Sequence, residues 1–247
     1  MIAALLLGRK GSKGFPGKNT TQVLGRPLAW YPMRTAKATE DIDCVYLSTD
    51  DPKLMDIAVE LRVEIIERPE HLSHDEALGE HAYVHGYQEI CRREKLTPEL
   101  LVLLFCNAAT VSAAAIRQGI VTLRENPEFD SAVTVSCYNM WSPLRARKQM
   151  PDGSLQPFVP FETFGDPATL NCDRDSQGEV LFADMGCSVV RAHCLDNLGE
   201  GLLPQKWMGK RIAPIHQEVG CDVDYEWQIP VVEWWLRKYW DVEKLTK

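Results

Sequence analysis

The chain has 247 residues, 45% of them hydrophobic and 25% charged, with a formal net charge of −8. That is ordinary globular composition, and its acidic balance repels phosphate backbones and anionic surfaces, so general nucleic-acid or membrane binding is not expected. No apolar run approaches the roughly 20 residues of a membrane span. In chain order, residues 2–7 form an unbroken apolar run, expected to be a buried strand and not a leader because the cations follow it. It feeds "GRKGSKGFPGKN" (8–19), which crowds Arg9, Lys10, Lys13 and Lys18 among four glycines. A helix is expected from near Pro27 through "LAWYPMRTAKAT", with Pro32 in its first turns. "CVYLST" (44–49) reads as a second strand ending at Asp50 and Asp51, and "PKLMDIAVEL" as an amphipathic helix with Leu54, Ile57, Ala58 and Leu61 on one face.

"VEII" (63–66) is a third strand, residues 76–95 a helix, and "LLVLLF" (100–105) a central buried strand. Ser112 is placed to cap a helix ending near Asn126, and "SAVTVSCY" (131–138) is another strand. Strands alternating with helices imply an α/β fold, a Rossmann-like and mostly parallel sheet with helices on both faces. We expect one domain over 1–247. Between 139 and 183 the rhythm changes to Pro, Gly and polar residues around a "PDGS" turn. This excursion is expected to protrude as a lid or a dimerisation element. "MGCSVVRA" (185–192) returns to the sheet, "KRIAPIHQE" forms an edge strand, and "DYEWQIPVVEWWLRKYW" is a terminal helix interrupted by Pro230.

Eight scattered cysteines without a CxxC pair read as reduced thiols of a cytoplasmic protein. His71, His74, His81 and His85 lie close in sequence but lack a zinc motif such as HExxH, and are taken as incidental. The five tryptophans from Trp207 to Trp240 are assigned to core or subunit contacts. No nucleophilic triad pattern is visible.

A strand running into a glycine-rich, cationic loop is where α/β proteins bind phosphates, because backbone N–H groups turn inward while cations neutralise charge. Two common fingerprints fail: Asn19 follows Gly17-Lys18 where a Walker A loop has Ser or Thr, and no GxGxxG spacing exists. Asp222 and Asp224 are spaced i, i+2, which puts both carboxylates on one side of an extended segment, a geometry suited to Mg²⁺.

The loop resembles the signature of the CMP-sugar-acid synthetases, R-x-G-S-K-x-x-P-x-K-N, at Arg9, Gly11, Ser12, Lys13, Pro16, Lys18 and Asn19. "STDD" (48–51), "RPEHLSHD" (68–75) and "DVD" (222–224) resemble further family elements in the same order. The resemblance implies a CTP-dependent cytidylyltransferase that passes CMP to an acidic acceptor, a sialic-acid-like or other ulosonic acid, and releases pyrophosphate. It implies Arg9, Lys13 and Lys18 as catalytic cations on the triphosphate, with Gly11, Ser12, Asn19, Arg68 and Asn107 also at the nucleotide. Asp222 and Asp224 would hold Mg²⁺, and a homodimer through 139–183 is expected. Asp50 and Asp75 are equally placed to cap the helices that follow them.

The family strand L-L-Q-P-T-S-P-L-R appears here as "LLFCNAATV", with Phe105 for Gln, Asn107 for Thr and Val111 for Arg. That departure leaves the acceptor open and admits a different small acid, such as a phosphonate. The family's H-P-x-K element appears as "SPLR", giving Arg145 as a substrate-binding residue, with Arg174 as a second. A nucleotide-binding module without turnover is the non-enzymatic alternative.

Overall fold

The computed structural model describes residues 1–11, 14–74, 76–174 and 178–240. Seven strands form the main sheet: β1 (Ile2–Leu7), β2 (Cys44–Thr49), β3 (Glu64–Glu67), β4 (Leu100–Phe105), β5 (Ser131–Cys137), β6 (Leu181–Arg191) and β7 (Ile212–Gln217). Their spatial order is β7-β5-β6-β4-β1-β2-β3. All neighbouring pairs are parallel except those of β6, which runs antiparallel to both β4 and β5. β7 pairs only with β5 and is an edge strand, as its sequence predicts.

Side chains alternate across β1, which is buried along its whole length. Ile2, Ala4 and Leu6 enter one core, packed by α1 (Trp30–Ala38), α2 (Pro52–Leu61), α4 (Ala113–Glu125) and α5 (Ile229–Tyr239). Ala3, Leu5 and Leu7 enter the other, packed by α3 (Gly79–Glu94) and by Cys194, Leu195 and Trp207. Period-two alternation with every residue apolar is what a strand covered on both faces requires. Ser112 caps α4 by accepting from the Ala115 N–H at 3.1 Å. Among the described residues, no helix is long and apolar enough to cross a membrane.

Four boundaries differ from expectation: α1 starts at Trp30 and not near Pro27, because Arg26–Pro27 pairs with Gln22–Val23 in a short hairpin. Pro230 lies in the first turn of α5, where a missing N–H costs nothing, so it starts the helix and does not interrupt it. The turn Glu226–Gln228 leads into it. β6 begins at Leu181, earlier than expected, because a register shift between Ala183 and Ser188 lets Leu181, Phe182 and Ala183 pair with β5 as well. α3 starts at Gly79, later than residue 76.

The excursion includes turns at Asn139–Trp141, Pro143–Arg145, Phe161–Phe164 and Pro167–Thr169 and a hairpin, Arg147–Gln149 against Leu155–Pro157. Its turn is closed by Asp152, which accepts from the Ser154 N–H at 2.9 Å. Met140, Trp141, Leu155 and Phe158 on this segment are each about two-thirds exposed.

The chain steps outward from β1 to β2 and β3, then crosses to the other side of β1 to lay down β4. The carboxyl ends of β1 and β4 therefore flank the point where the strand order reverses, which is the crevice where open α/β sheets bind ligands.

Candidate active site

A cavity of about 400 Å³ opens at that crevice. One side is the loop after β1. Gly8 makes the first turn, donating its N–H to the Ser48 carbonyl at 3.2 Å. A Cβ there would lie 2.5 Å from Leu54 Cδ1 and 2.7 Å from Cys106 Sγ, so only glycine fits. Asp50 accepts from the Lys10 N–H at 2.8 Å and so anchors the loop, while its neighbour Asp51 caps α2 through the Lys53 N–H at 2.9 Å. The capping role considered for Asp50 thus belongs to Asp51. Gly17 has φ +74°, a left-handed conformation, just before the turn Lys18–Thr20.

The opposite side is the segment 222–224. Asn107 donates its amide to the Val223 carbonyl at 3.0 Å, and its own carbonyl accepts from the Val223 N–H at 2.9 Å. The Thr110 hydroxyl accepts from the Cys221 N–H at 2.9 Å and bonds the Cys221 carbonyl at 3.2 Å. Gln228 Oε1 accepts from the N–H groups of Asp224 and Tyr225 at 2.7 and 2.8 Å. Behind them, Gln217 donates to the Thr110 carbonyl at 3.2 Å and to the buried Asp184 carboxylate at 2.8 Å, which the Ser136 hydroxyl also reaches at 2.6 Å. Thr110, Gln217, Gln228 and Asp184 were not singled out from the sequence. A lone Asp in the apolar run "LFADMGCSVV" is the only signal that announced any of them.

The two sides touch. The Lys18 ammonium lies 2.5 Å from Asp224 Oδ1, and a Cβ on Gly14 would sit 2.8 Å from the Asp224 carbonyl oxygen. Burial, and then the charge of Asp224, push the Asp222 carboxyl above its ordinary range, with Lys18 pulling the other way. Arg68 lines the same cavity, buried, its guanidinium donating to the Ser48 carbonyl at 2.7 Å and to the Ser48 hydroxyl at 3.3 Å. Burial lowers its pKa, offset in part by Asp50. Among the described residues it has no ion-pair partner, although buried charges are ordinarily paired.

Arg9, Gly11, Lys18, Asn19, Arg68, Asn107, Asp222 and Asp224 therefore share one cavity. Ser12, Lys13 and Asp75 lie outside the described residues. Arg145 lies elsewhere, donating to the Cys172 carbonyl at 2.7 Å in a cleft with Phe161 and Leu170. Arg174 lines a third cleft beside Tyr138 and Trp141. Within one copy of the chain neither arginine meets the cavity.

Among the described residues no group of three or more His, Cys, Asp and Glu forms a metal cage. Two carboxylates suit Mg²⁺ nonetheless, since that ion keeps waters and substrate phosphate oxygens in its shell. An acidic pair, one member desolvated and raised by the other's charge, is a donor set that a hard cation would relieve.

Residues 3–85 match the sequence model of the family described as Cytidylyltransferase. Over 234 residues the chain is 32% identical to the N-acylneuraminate cytidylyltransferase of Oncorhynchus mykiss, covering 94% of this chain and 49% of that protein. By sequence the chain resembles the cytidylyltransferases. A second relative, the 3-deoxy-manno-octulosonate cytidylyltransferase of Chlamydia trachomatis, is 25% identical over 132 residues, which is 53% of this chain and 49% of the relative. The chain thus spans about half the length of these curated relatives. Its fold is similar to that of CMP:2-keto-3-deoxy-manno-octonic acid synthetase complexed with CTP, with a TM-score of 0.65 at 14% identity over 96% of this chain and 98% of the other. The 4-diphosphocytidyl-2C-methyl-D-erythritol synthase of Anaerococcus prevotii gives a TM-score of 0.59 at 13% identity over 96% of each chain.

Proposed function

We propose that this chain transfers CMP from CTP to a small acidic acceptor, of the sialic-acid-like or ulosonic class by relationship, and releases pyrophosphate. The observation that carries the reading is the single cavity uniting a cationic glycine loop, a buried arginine that forms no ion pair among the described residues, and two carboxylates. The relatives named above supply independent support for both CTP and a sugar-acid acceptor.

Arg9, Lys18 and the loop N–H groups hold the triphosphate, with Ser12 and Lys13 assigned to the same task by their place in the motif. Arg68 neutralises phosphate charge in a site where a desolvated cation acts strongly. Asp222 and Asp224 would hold Mg²⁺, which when bound adds charge neutralisation at the phosphates. Asn107 keeps those aspartates in place through Val223. An acceptor oxygen attacks the α-phosphorus, forming a new O–P bond. The bond from that phosphorus to the β-phosphate oxygen breaks, and its electron pair leaves on pyrophosphate. A proton, where the acceptor oxygen carries one, is released to solvent.

A homodimer through 139–183 belongs to the same proposal. The exposed Met140, Trp141, Leu155 and Phe158 support it, since large apolar groups exposed along one segment are the material of contact surfaces. A second copy would also give Arg145 and Arg174 a route to a cavity they do not reach alone.

The test is incubation with CTP, Mg²⁺ and a panel of acids, reading pyrophosphate and CMP adducts by mass spectrometry. A CMP adduct with release of one pyrophosphate supports the proposal. Saturable CTP binding without an adduct from any acid would leave the chain a nucleotide-binding module.

A further inference from the structure

Asp222 is held through both of its chain neighbours. Val223 exchanges two hydrogen bonds with Asn107, one with its side chain and one with its backbone. Cys221 depends on a single group, the Thr110 hydroxyl, which meets both its N–H and its carbonyl. Thr110 is in turn the near end of a buried relay.

The Gln217 amide nitrogen donates to the Thr110 carbonyl at 3.2 Å and to Asp184 Oδ2 at 2.8 Å, which uses both of its hydrogens. Asp184 is buried and takes two further donors, the Ser136 hydroxyl at 2.6 Å and the Gly186 N–H at 3.0 Å. Among the described residues it forms no ion pair. A carboxylate only accepts, so Asp184 fixes the Gln217 amide with its nitrogen towards both partners. Asparagine in its place would turn an N–H on one of the three donors.

The backbone is shaped around this relay. Met185 has φ +62°, a left-handed conformation rare outside glycine, within the register shift of β6. A Cβ on Gly220 would lie 2.6 Å from Asp184 Cγ, and one on Gly186 would lie 2.9 Å from Gln217 Nε2. Both positions need glycine for the chain to lie against the Asp184–Gln217 pair. A buried carboxylate without a counter-charge and a left-handed methionine each weaken a fold. What they supply here is a fixed Thr110, and through it a fixed Cys221 directly before Asp222.

Resting on the metal assignment within the cytidylyl-transfer reading, we infer that Asp184, Gln217 and Thr110 are positioning residues that set Asp222 for a divalent cation. None of the three lines the cavity, so they act through Cys221. They hold the residue before the carboxylate as Asn107 holds the residue after it. Outer groups of this kind orient a ligand and tune its affinity for the ion.

The experiment measures CTP binding to the full chain by calorimetry, once with Mg²⁺ and once in EDTA, beside the Mg²⁺ dependence of turnover and urea melts. The ratio of the two CTP affinities reports the metal contact separately from activity. The variants are Asp184→Asn, Gln217→Met, Thr110→Val and Thr110→Ser. The first three should cut the gain from Mg²⁺ by about tenfold or more and raise the Mg²⁺ needed for half-maximal turnover, with CTP affinity in EDTA unchanged. Thr110→Ser keeps the hydroxyl and should restore most of the gain. The double variant Gln217→Met with Thr110→Val should lose little more than the worse single one, because both break the same relay. A wild-type gain from Mg²⁺ in Gln217→Met and Thr110→Val, with only the urea midpoint lowered, overturns the inference and leaves cytidylyl transfer standing. Additive losses in the double variant likewise overturn the relay. Should Asp184→Asn not fold, the Gln217 and Thr110 variants decide. A wild type whose CTP affinity does not respond to Mg²⁺ overturns the metal assignment and this inference together, while pyrophosphate release still judges the transfer.

Discussion

Lys18 and Asp224, 206 positions apart in the chain, are joined by an ion pair of 2.5 Å at the mouth of the cavity. The lysine side chain is largely covered, whereas the aspartate is 57% exposed. The pair sets the spacing between the glycine-rich loop and the aspartate segment. Asp224→Asn keeps the shape but loses the charge that a divalent cation requires. It should lower kcat by about 10²–10³-fold at saturating CTP and Mg²⁺, the cost of losing one transition-state charge stabiliser. Circular dichroism should be unchanged. Full Mg²⁺-dependent pyrophosphate release by this variant would remove Asp224 from the metal site.

Asn107 holds the same segment from below. Asn107→Ala deletes the donor to the Val223 carbonyl and leaves that buried acceptor unmet, while the backbone bond from Val223 to residue 107 survives. Urea melts should show a loss of about 1–2 kcal/mol. Turnover should fall further than stability does, because the two aspartates lose their register. A variant that loses stability but keeps wild-type kcat would make Asn107 purely structural.

Much of this arrangement was legible in the sequence because its cues are local. β1 announces itself by six consecutive apolar residues and the loop by glycines that only a tight turn needs. The pairing of residues 222 and 224 on one cavity follows from period-two geometry. What was not legible depends on partners far along the chain. Asn107 stands at a strand end like any capping amide until Val223, 116 positions on, comes beneath it. Asp51 directly precedes Pro52 and caps α2, whereas the part of its neighbour Asp50 in anchoring the loop depends on the tertiary position of Lys10. Arg145 and Arg174 line clefts apart from the cavity, on a segment whose placement no local rule fixes.

Two glycines of the loop, Gly8 at its start and Gly14 within it, should fail differently when replaced. At Gly8 an added methyl meets Leu54 and Cys106 in the core, so Gly8→Ala should destabilise by about 1–3 kcal/mol through overpacking. At Gly14 the methyl meets the Asp224 carbonyl oxygen and little else. Gly14→Ala should therefore push the loop away from the aspartate segment, raising CTP KM roughly tenfold or more with little change in the urea midpoint. Calorimetric CTP titration beside urea melts separates the two outcomes. Equal stability losses in both variants would mean that Gly14 serves the fold and not the site.

The far end of the sheet predicts an acid-sensitive term separable from catalysis. Asp130 stands just before β5, at the opposite end of that strand from the cavity. It accepts from the Lys210 and Arg211 N–H groups at 2.7 and 2.9 Å and meets His193 Nε2 at 3.0 Å. Burial pushes its carboxyl up, but the backbone bonds from Arg211 and Lys210 and the His193 contact outweigh that and hold it below its ordinary range. A folded-state pKa below the unfolded one means that the unfolded chain takes up the proton first. The stabilisation from Asp130 is therefore complete above about pH 4 and fades as pH falls through the lower, folded-state pKa. Asp130→Asn should cost about 1–3 kcal/mol at pH 7, where two charge-assisted bonds are weakened. Its difference from wild type should shrink steadily as urea melts are repeated below pH 4, while CTP affinity at pH 7 stays unchanged. A difference that is constant across that acid range would show that the carboxylate charge at 130 contributes nothing to the fold.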